Sequence, residues 1–326
     1  MKKGIALGVV LVLLVLGAVV PLPLFVIAPG SAISVADRVE LGRPPDRLSG
    51  ELLLTTVRVF QPTAFGVVQA WLAETHDIFR REEIVPEGVN DADFEAAQRE
   101  LFRESAEVAA AVGLGAAGEL VEISGDGALV AGLLPGSPAD GVLTEGEVIT
   151  AVDGMPVELA SDLVTALGSR SSGDEVVLEV EREGAVREVR LRLGTVEGVG
   201  QPAIGVAVTT VDLAIALPFP VEVDQGRIGG PSAGLLIALT VYDLADPGDL
   251  AAGRSIAGTG TINLDGEVGA VGGVDAKVVA AQAAGASVFL VPENEAALAE
   301  EVAGDDIEVI PVATIDDAIA ALQEAA

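Results

Sequence analysis

The strongest pattern along the chain is a run without charge. Residues 4–28 carry no ionisable side chain and follow Met1-Lys2-Lys3. That length suffices for one helix across a bilayer, which takes roughly 20 apolar residues. Lysines ahead of it place the N-terminus in the cytoplasm and the rest of the chain on the far side. A cleaved signal peptide has an apolar core of only about 7–15 residues, so the segment reads as an uncleaved anchor. Residues 1–30 therefore predict a cytoplasmic tip and a single-pass transmembrane helix in the cell membrane, with the remaining residues extracytoplasmic.

Three further regions follow. Residues 31–112 mix a strand at Glu51–Phe60, a helix at Ala64–Arg80 and a longer amphipathic helix at Ala92–Ala111. Residues 113–194 shift to short strands, at Ala128–Leu134, Glu147–Val152, Glu175–Glu181 and Val186–Leu193, with one helix near Leu159–Leu167 and turn chemistry between them. From 195 to 326 strands and helices alternate. Among them are helix Pro231–Tyr242, strand Ser255–Leu264 and helix Val274–Ala284. The fold class expected is α+β, a layered α/β domain beside a β-rich module.

Composition removes many chemistries. The 326 residues contain no cysteine, which excludes thiol nucleophiles, disulfides and zinc-thiolate sites. The single histidine, His76, cannot form a histidine metal cluster and reads as a solvated surface residue, so no metal or other cofactor is expected. A net charge of -32 argues against nucleic acid as a partner, because phosphate contact needs a basic face. Lysine usage is more telling. Of 18 basic residues only Lys2, Lys3 and Lys277 are lysine, and an ammonium can lose its proton when desolvated whereas a guanidinium effectively cannot.

The candidate chemistry gathers around Gly229-Gly230-Pro231-Ser232-Ala233-Gly234. Pro231 suits a first helical position, which places Ser232 where unpaired N–H groups and the positive end of a helix dipole stabilise an oxyanion. Gly230, Pro231 and Ala233 leave room for a substrate backbone. The same residues match the G-x-S-x-G elbow of α/β-hydrolases, but that triad runs Ser, acid, His, and His76 lies far upstream. As an isolated motif Ser232 could equally be a helix cap. Lys277 offers the missing base. Its helical neighbours at three and four positions are Gly273, Val274, Ala280 and Ala281, so its amine is expected in a dry cleft, neutral and able to accept a proton. Taken alone, a lysine whose head snorkels to water is the competing reading.

Two resemblances rest on these residues. LLPGSPADGVLTEGEVITAVDG resembles the PDZ domains of membrane-associated bacterial proteases, with Glu147 where Asp is usual and Gly113-Leu114-Gly115 as the suggested carboxylate-binding loop. GGPSAG, then Thr259-Gly260-Thr261-Ile262-Asn263-Leu264-Asp265-Gly266-Glu267-Val268, then Val271-Gly272-Gly273-Val274-Asp275-Ala276-Lys277, resembles the proteolytic domain of Lon proteases from about Thr195 to the C-terminus. The order of anchor, PDZ and Lon-type domain resembles bacterial YlbL-like membrane-anchored proteins. The Asp that Lon proteases carry before Gly-Pro-Ser is Gly229 here.

The resemblance implies a serine endopeptidase with Ser232 as nucleophile, Lys277 as base and Thr259 orienting the lysine amine. Its partners would be polypeptide substrates, peptide segments or C-terminal tails on the PDZ domain, and the lipid bilayer through the N-terminal helix. A homo-oligomeric ring is also implied. No G-x-x-x-x-G-K-[ST] motif occurs, so ATP is not expected to be used. Residues 31–112 could complete the protease fold, making the PDZ domain an insertion. The rival reading is a catalytically inactive, membrane-tethered PDZ scaffold.

Overall fold

The computed structural model describes residues 15–42, 49–73, 75–86, 88–195, 202–246 and 248–324. It divides into two compact units, residues 1–120 with 217–326, and residues 121–216.

The first unit opens with a departure from expectation. Residues 15–19 are helical, but Leu24–Ser34 is strand β1, so the apolar run does not continue as a helix to residue 28. β-Branched Val26 and Ile27 suit a pleated strand, and Val26 and Ala28 are fully buried. Among the described residues no helix is long and apolar enough to cross a membrane; residues 1–14, which hold the first part of the expected anchor, lie outside them. β1 pairs antiparallel with strand β2 (Glu51–Phe60), Val26 facing Phe60 and Ser34 facing Leu53. Helix α1 covers only Ala64–Leu72, capped by the Thr63 hydroxyl, which accepts from the Gly66 N–H. The expected helix to Arg80 breaks there, and Asp77–Arg80 forms strand β3 along the other edge of β1. Helix α2 (Asp91–Ala116) is longer than its sequence pattern suggested and buries its C-terminal half.

The second unit is an antiparallel sheet with one helix. Its strands are β4 (Ala128–Leu133), β5 (Val148–Val152), β6 (Glu175–Arg182), β7 (Ala185–Arg192) and β8 (Val206–Thr210), in the order β7-β6-β5-β4-β8. Helix α3 (Ala160–Gly168) closes the core with Leu163 and Leu167 against Ile149, Leu178 and Ile204.

The first unit then resumes with helix α4 (Gly234–Ala245), strand β9 (Ser255–Gly258), helix α5 (Val274–Ala283), strand β10 (Val288–Pro292), helix α6 (Ala296–Ala303), strand β11 (Glu308–Val312) and helix α7 (Ile315–Glu324). Its sheet runs β11-β10-β9-β2-β1-β3. β9 lies parallel to both β2 and β10, with Ala257 opposite Leu53 and Phe289. Thus β2, from the N-terminal part, is a central strand of the sheet that the C-terminal part builds. Every residue of α4 is buried, which suits its mostly apolar sequence GLLIALTVYDLA; of its polar residues, the Thr240 hydroxyl donates to the Leu236 carbonyl and the Asp243 carboxylate accepts from the Leu250 N–H. The parallel strands β9 and β10 read as continuous apolar runs for the same reason.

Candidate active site

Ser232 lies in a tight turn before α4, not within the helix. The sequence pattern starts the helix at Pro231; the structure starts it at Gly234, with Ala233 as N-cap, so Pro231 is not the first helical residue. The turn is held on three sides. The Gly230 N–H donates to the Gln98 carbonyl (2.8 Å), the Ser105 hydroxyl to the Pro231 carbonyl (3.0 Å), and the Gly260 N–H to the Ser232 carbonyl (3.0 Å). Gly230 has φ +80°, a conformation that disfavours any side chain. The Gly234 and Leu235 N–H groups are already taken by the carbonyls of Pro231 and Gly260. Among the described residues no hydrogen bond reaches the N–H groups of Ser232 and Ala233, which leaves this pair for an oxyanion.

Lys277 sits in the first turns of α5, whose N-cap Gly273 has a left-handed backbone. The side chain is 3% exposed, among Val274, Val278, Ala280 and Ala281, all buried. Its amine donates to Thr259 Oγ1 (3.0 Å), and that hydroxyl donates to the Ser232 carbonyl (3.2 Å). Thr259 is fully buried at the end of β9, so it cannot swing away to bond water. Burial pulls the Lys277 pKa down to about 8, and the negative charge of Glu295 pulls the other way. No acid lies on its own helical stripe, as the sequence suggests. Glu295 comes instead from the 3-10 turn Glu293–Glu295 and accepts the Val271 N–H (2.9 Å).

Ser232 and Lys277 open onto one cleft of about 890 Å³, shared with Gly230, Pro231, Ala233 and Gln98. Thr259 stands behind its wall. Arg38, Arg58 and Arg227 also line the cleft. His76 does not; it precedes β3, half-buried, and its Nδ1 has no hydrogen-bond partner among the described residues. Among the described residues no group of three or more His, Cys, Asp or Glu is arranged to hold a metal ion.

Gln98, Ser105 and Glu295 were not singled out from the sequence. The first two had a signal, since they stand seven apart with buried Phe102 between them and so share one face of α2. The Ser105 hydroxyl finds its partner in the Ser232 turn, the Pro231 carbonyl, whereas Gln98 meets the same turn through its backbone carbonyl. Gly229 packs against the same Gln98: a Cβ there would lie 3.1 Å from Gln98 Cβ, so an Asp at this position requires Gln98 to shift.

In the second unit an apolar groove of about 560 Å³ runs between α3 and the terminal strand β8, lined by Leu133, Leu163, Leu167, Ile204 and Val206. Such a strand beside a helix accepts an extended peptide as an added strand. Gly113-Leu114-Gly115, suggested as the carboxylate-binding loop, takes no part. These residues are inside α2, where a Cβ on Gly113 would sit 2.4 Å from the Ala238 carbonyl oxygen of α4. The segment Ala203-Ile204-Gly205-Val206, leading into β8, lines the groove instead.

Residues 219–324 match the model of the Lon protease (S16) C-terminal proteolytic domain. Ser232, Thr259 and Lys277 all lie within the residues that match this domain. Residues 112–193 match the PDZ domain. The chain is similar to Lon protease 2 of Bacillus subtilis (30% identity over 138 residues, 41% of this chain and 23% of the relative). It is also similar to Lon protease of Mycolicibacterium smegmatis (30% over 204 residues, 56% and 24%). A third similarity is to a probable periplasmic serine endoprotease DegP-like of Ectopseudomonas mendocina (36% over 76 residues, 23% and 16%). The chain thus spans less than a quarter of each of these relatives.

Proposed function

We propose that this chain is an ATP-independent serine endopeptidase that uses a Ser232–Lys277 dyad on extracytoplasmic or membrane-associated polypeptides. The observation that carries the reading is the line from the buried Lys277 amine through the Thr259 hydroxyl to the Ser232 backbone. A neutral amine holding one N–H on Thr259 keeps its lone pair for the Ser232 proton. Ser232 Oγ attacks the scissile carbonyl as Lys277 takes that proton, and the oxyanion forms against the Ser232 and Ala233 N–H groups. Lys277 then gives the proton to the leaving amine. Water attacks the acyl-enzyme, passing a proton to Lys277, which returns it to Ser232 Oγ as that oxygen leaves and the new carboxyl terminus departs. Similarity to Lon and DegP-like serine proteases supports the reaction class.

On this reading residues 31–112 complete the protease fold through β2, and the PDZ domain is inserted into it, presenting the groove beside β8 to peptide segments or C-terminal tails. The chain carries no G-x-x-x-x-G-K-[ST] motif, which supports independence from ATP. The uncharged residues 4–19, behind Lys2 and Lys3 and ahead of the Pro21 bridge to Thr63, support the membrane reading as a short anchor segment. Similarity to an enzyme named as periplasmic agrees with a catalytic unit outside the cytoplasm. The likeness to Lon proteases makes a homo-oligomeric ring the assembly to look for by light scattering.

Ser232→Ala tests the core of the proposal. Casein hydrolysis and labelling by a fluorophosphonate should both vanish while the circular dichroism spectrum is unchanged. Undiminished turnover by that variant would reject it.

A further inference from the structure

Helix α1 is unusual for the surface of so acidic a chain. Its nine residues, AFGVVQAWL, include no charge and one polar side chain, yet only Ala70 is buried. Phe65, Val68, Trp71 and Leu72 are exposed, Trp71 by 76% and Leu72 by 70%. The helical residues 15–19 lie beside it. A Cβ on Gly17 would touch Ala64 and Phe65, and the Leu22 N–H donates to the Pro62 carbonyl (2.8 Å) just before α1 begins. Val15 and Val19 of that segment are also exposed. The two elements form one apolar surface at the end of the sheet where β1 starts and β2 finishes. Residues 4–14, directly upstream, are without exception uncharged and apolar.

We propose that α1 is an interfacial membrane-seating helix, lying in the headgroup and upper acyl region beside the anchor with Trp71 inserted, and so setting the catalytic unit against the bilayer. Tryptophan partitions to this depth because its ring is apolar and its N–H can stay wet. An uncharged helix beside a membrane-entering segment gains from burial in lipid the apolar area it leaves exposed to water. Seating also fixes what the cleft reaches. Ser31, which lines it, lies five residues along β1 from Val26, the partner of Phe60, roughly 15 Å from the seated end at the rise of a strand. The substrate class is therefore the segment of a membrane-inserted polypeptide just outside the bilayer. The proposal rests on the membrane reading above, which the experiment tests separately.

Trp71 is the chain's only tryptophan, so the full chain reports on itself. The full chain with Ser232→Ala, to prevent self-cleavage, is reconstituted in phosphatidylcholine vesicles, and flotation checks the anchor. Fluorescence is then quenched by phosphatidylcholine with a nitroxide near the headgroup, or by aqueous iodide. Seating predicts blue-shifted emission quenched by the lipid nitroxide and protected from iodide. Val68→Ser with Leu72→Ser should shift quenching from nitroxide to iodide while flotation persists. In the Ser232-intact chain the same pair should leave hydrolysis of a soluble peptide unchanged. Flotation with iodide quenching alone overturns the seating and leaves the anchor standing. Failure to float removes the anchor reading. Protection from both quenchers that depends on protein concentration assigns the surface to a second copy of the chain and overturns the proposal.

Discussion

Two buried charges in this molecule meet opposite fates. Glu147, in the second unit, is 4% exposed; Lys277, in the first, is 3% exposed. Burial pushes the Glu147 carboxyl up. The Arg187 guanidinium (2.7 Å) and the Thr144 N–H (2.8 Å) outweigh it and hold the group below the usual carboxylate range. Lys277 has a threonine hydroxyl as its hydrogen-bond partner and only the field of Glu295 to oppose burial, so its pKa falls to about 8. The difference separates structure from chemistry. A buried charge given an ion-pair partner stays charged and holds the fold, whereas one denied it is ready to become neutral and accept a proton.

The largest expected effect comes from restoring permanent charge at Lys277. Lys277→Arg should lower kcat by about 10³–10⁴-fold, since a guanidinium cannot serve as base; retained turnover in a peptide assay would erase the contrast between the two sites. Thr259→Val removes the hydroxyl that holds the amine and should cost about 10–100-fold in kcat with little change in KM, read from steady-state kinetics. In the unmodified chain kcat/KM should rise about tenfold between pH 7 and pH 9, as a base with a pKa near 8 becomes neutral. A profile flat across that range would show that Lys277 is not the titrating base.

Stability should separate the sites by sign. Lys277 has a folded pKa below its unfolded value of 10.5, so its burial costs stability below about pH 8, and the cost is relieved as pH rises from there towards 10.5. Glu147 has a folded pKa below 4.5, so its contribution is complete above that pH and is lost as pH falls through the folded value. Arg187→Met should therefore destabilise by about 2 kcal/mol at neutral pH in a denaturation experiment, and by much less in acid. It sharpens the contrast from the structural side.

Lys277 was legible because lysine is scarce in this chain and its helical neighbours are small. Ser232 was legible from its glycine-rich surroundings, though not its turn, because Pro231 suits both a turn and a first helical residue. The strands of the second unit follow their alternation and turn residues closely. What escaped was long-range. β1 is hidden in an apolar run that reads as a membrane helix, since a half-buried strand and an anchor share composition over a short span. Gln98 and Ser105 gain meaning only when α2 packs against a turn more than 120 residues later. Gly113-Leu114-Gly115 looked like a loop because glycine suggests one; it serves close helix packing instead.

Strand β9 is sewn between β2 and β10, partners respectively about 200 residues earlier and about 30 later in the chain. Pairings of such separation form late, after the intervening chain has been made and its loop closed. The cleft therefore does not exist on a nascent polypeptide until β9 and β10 have both emerged and paired. A chain made only as far as Ser232 lacks both Thr259 and Lys277, so the two walls of the cleft meet only after those residues have been synthesised.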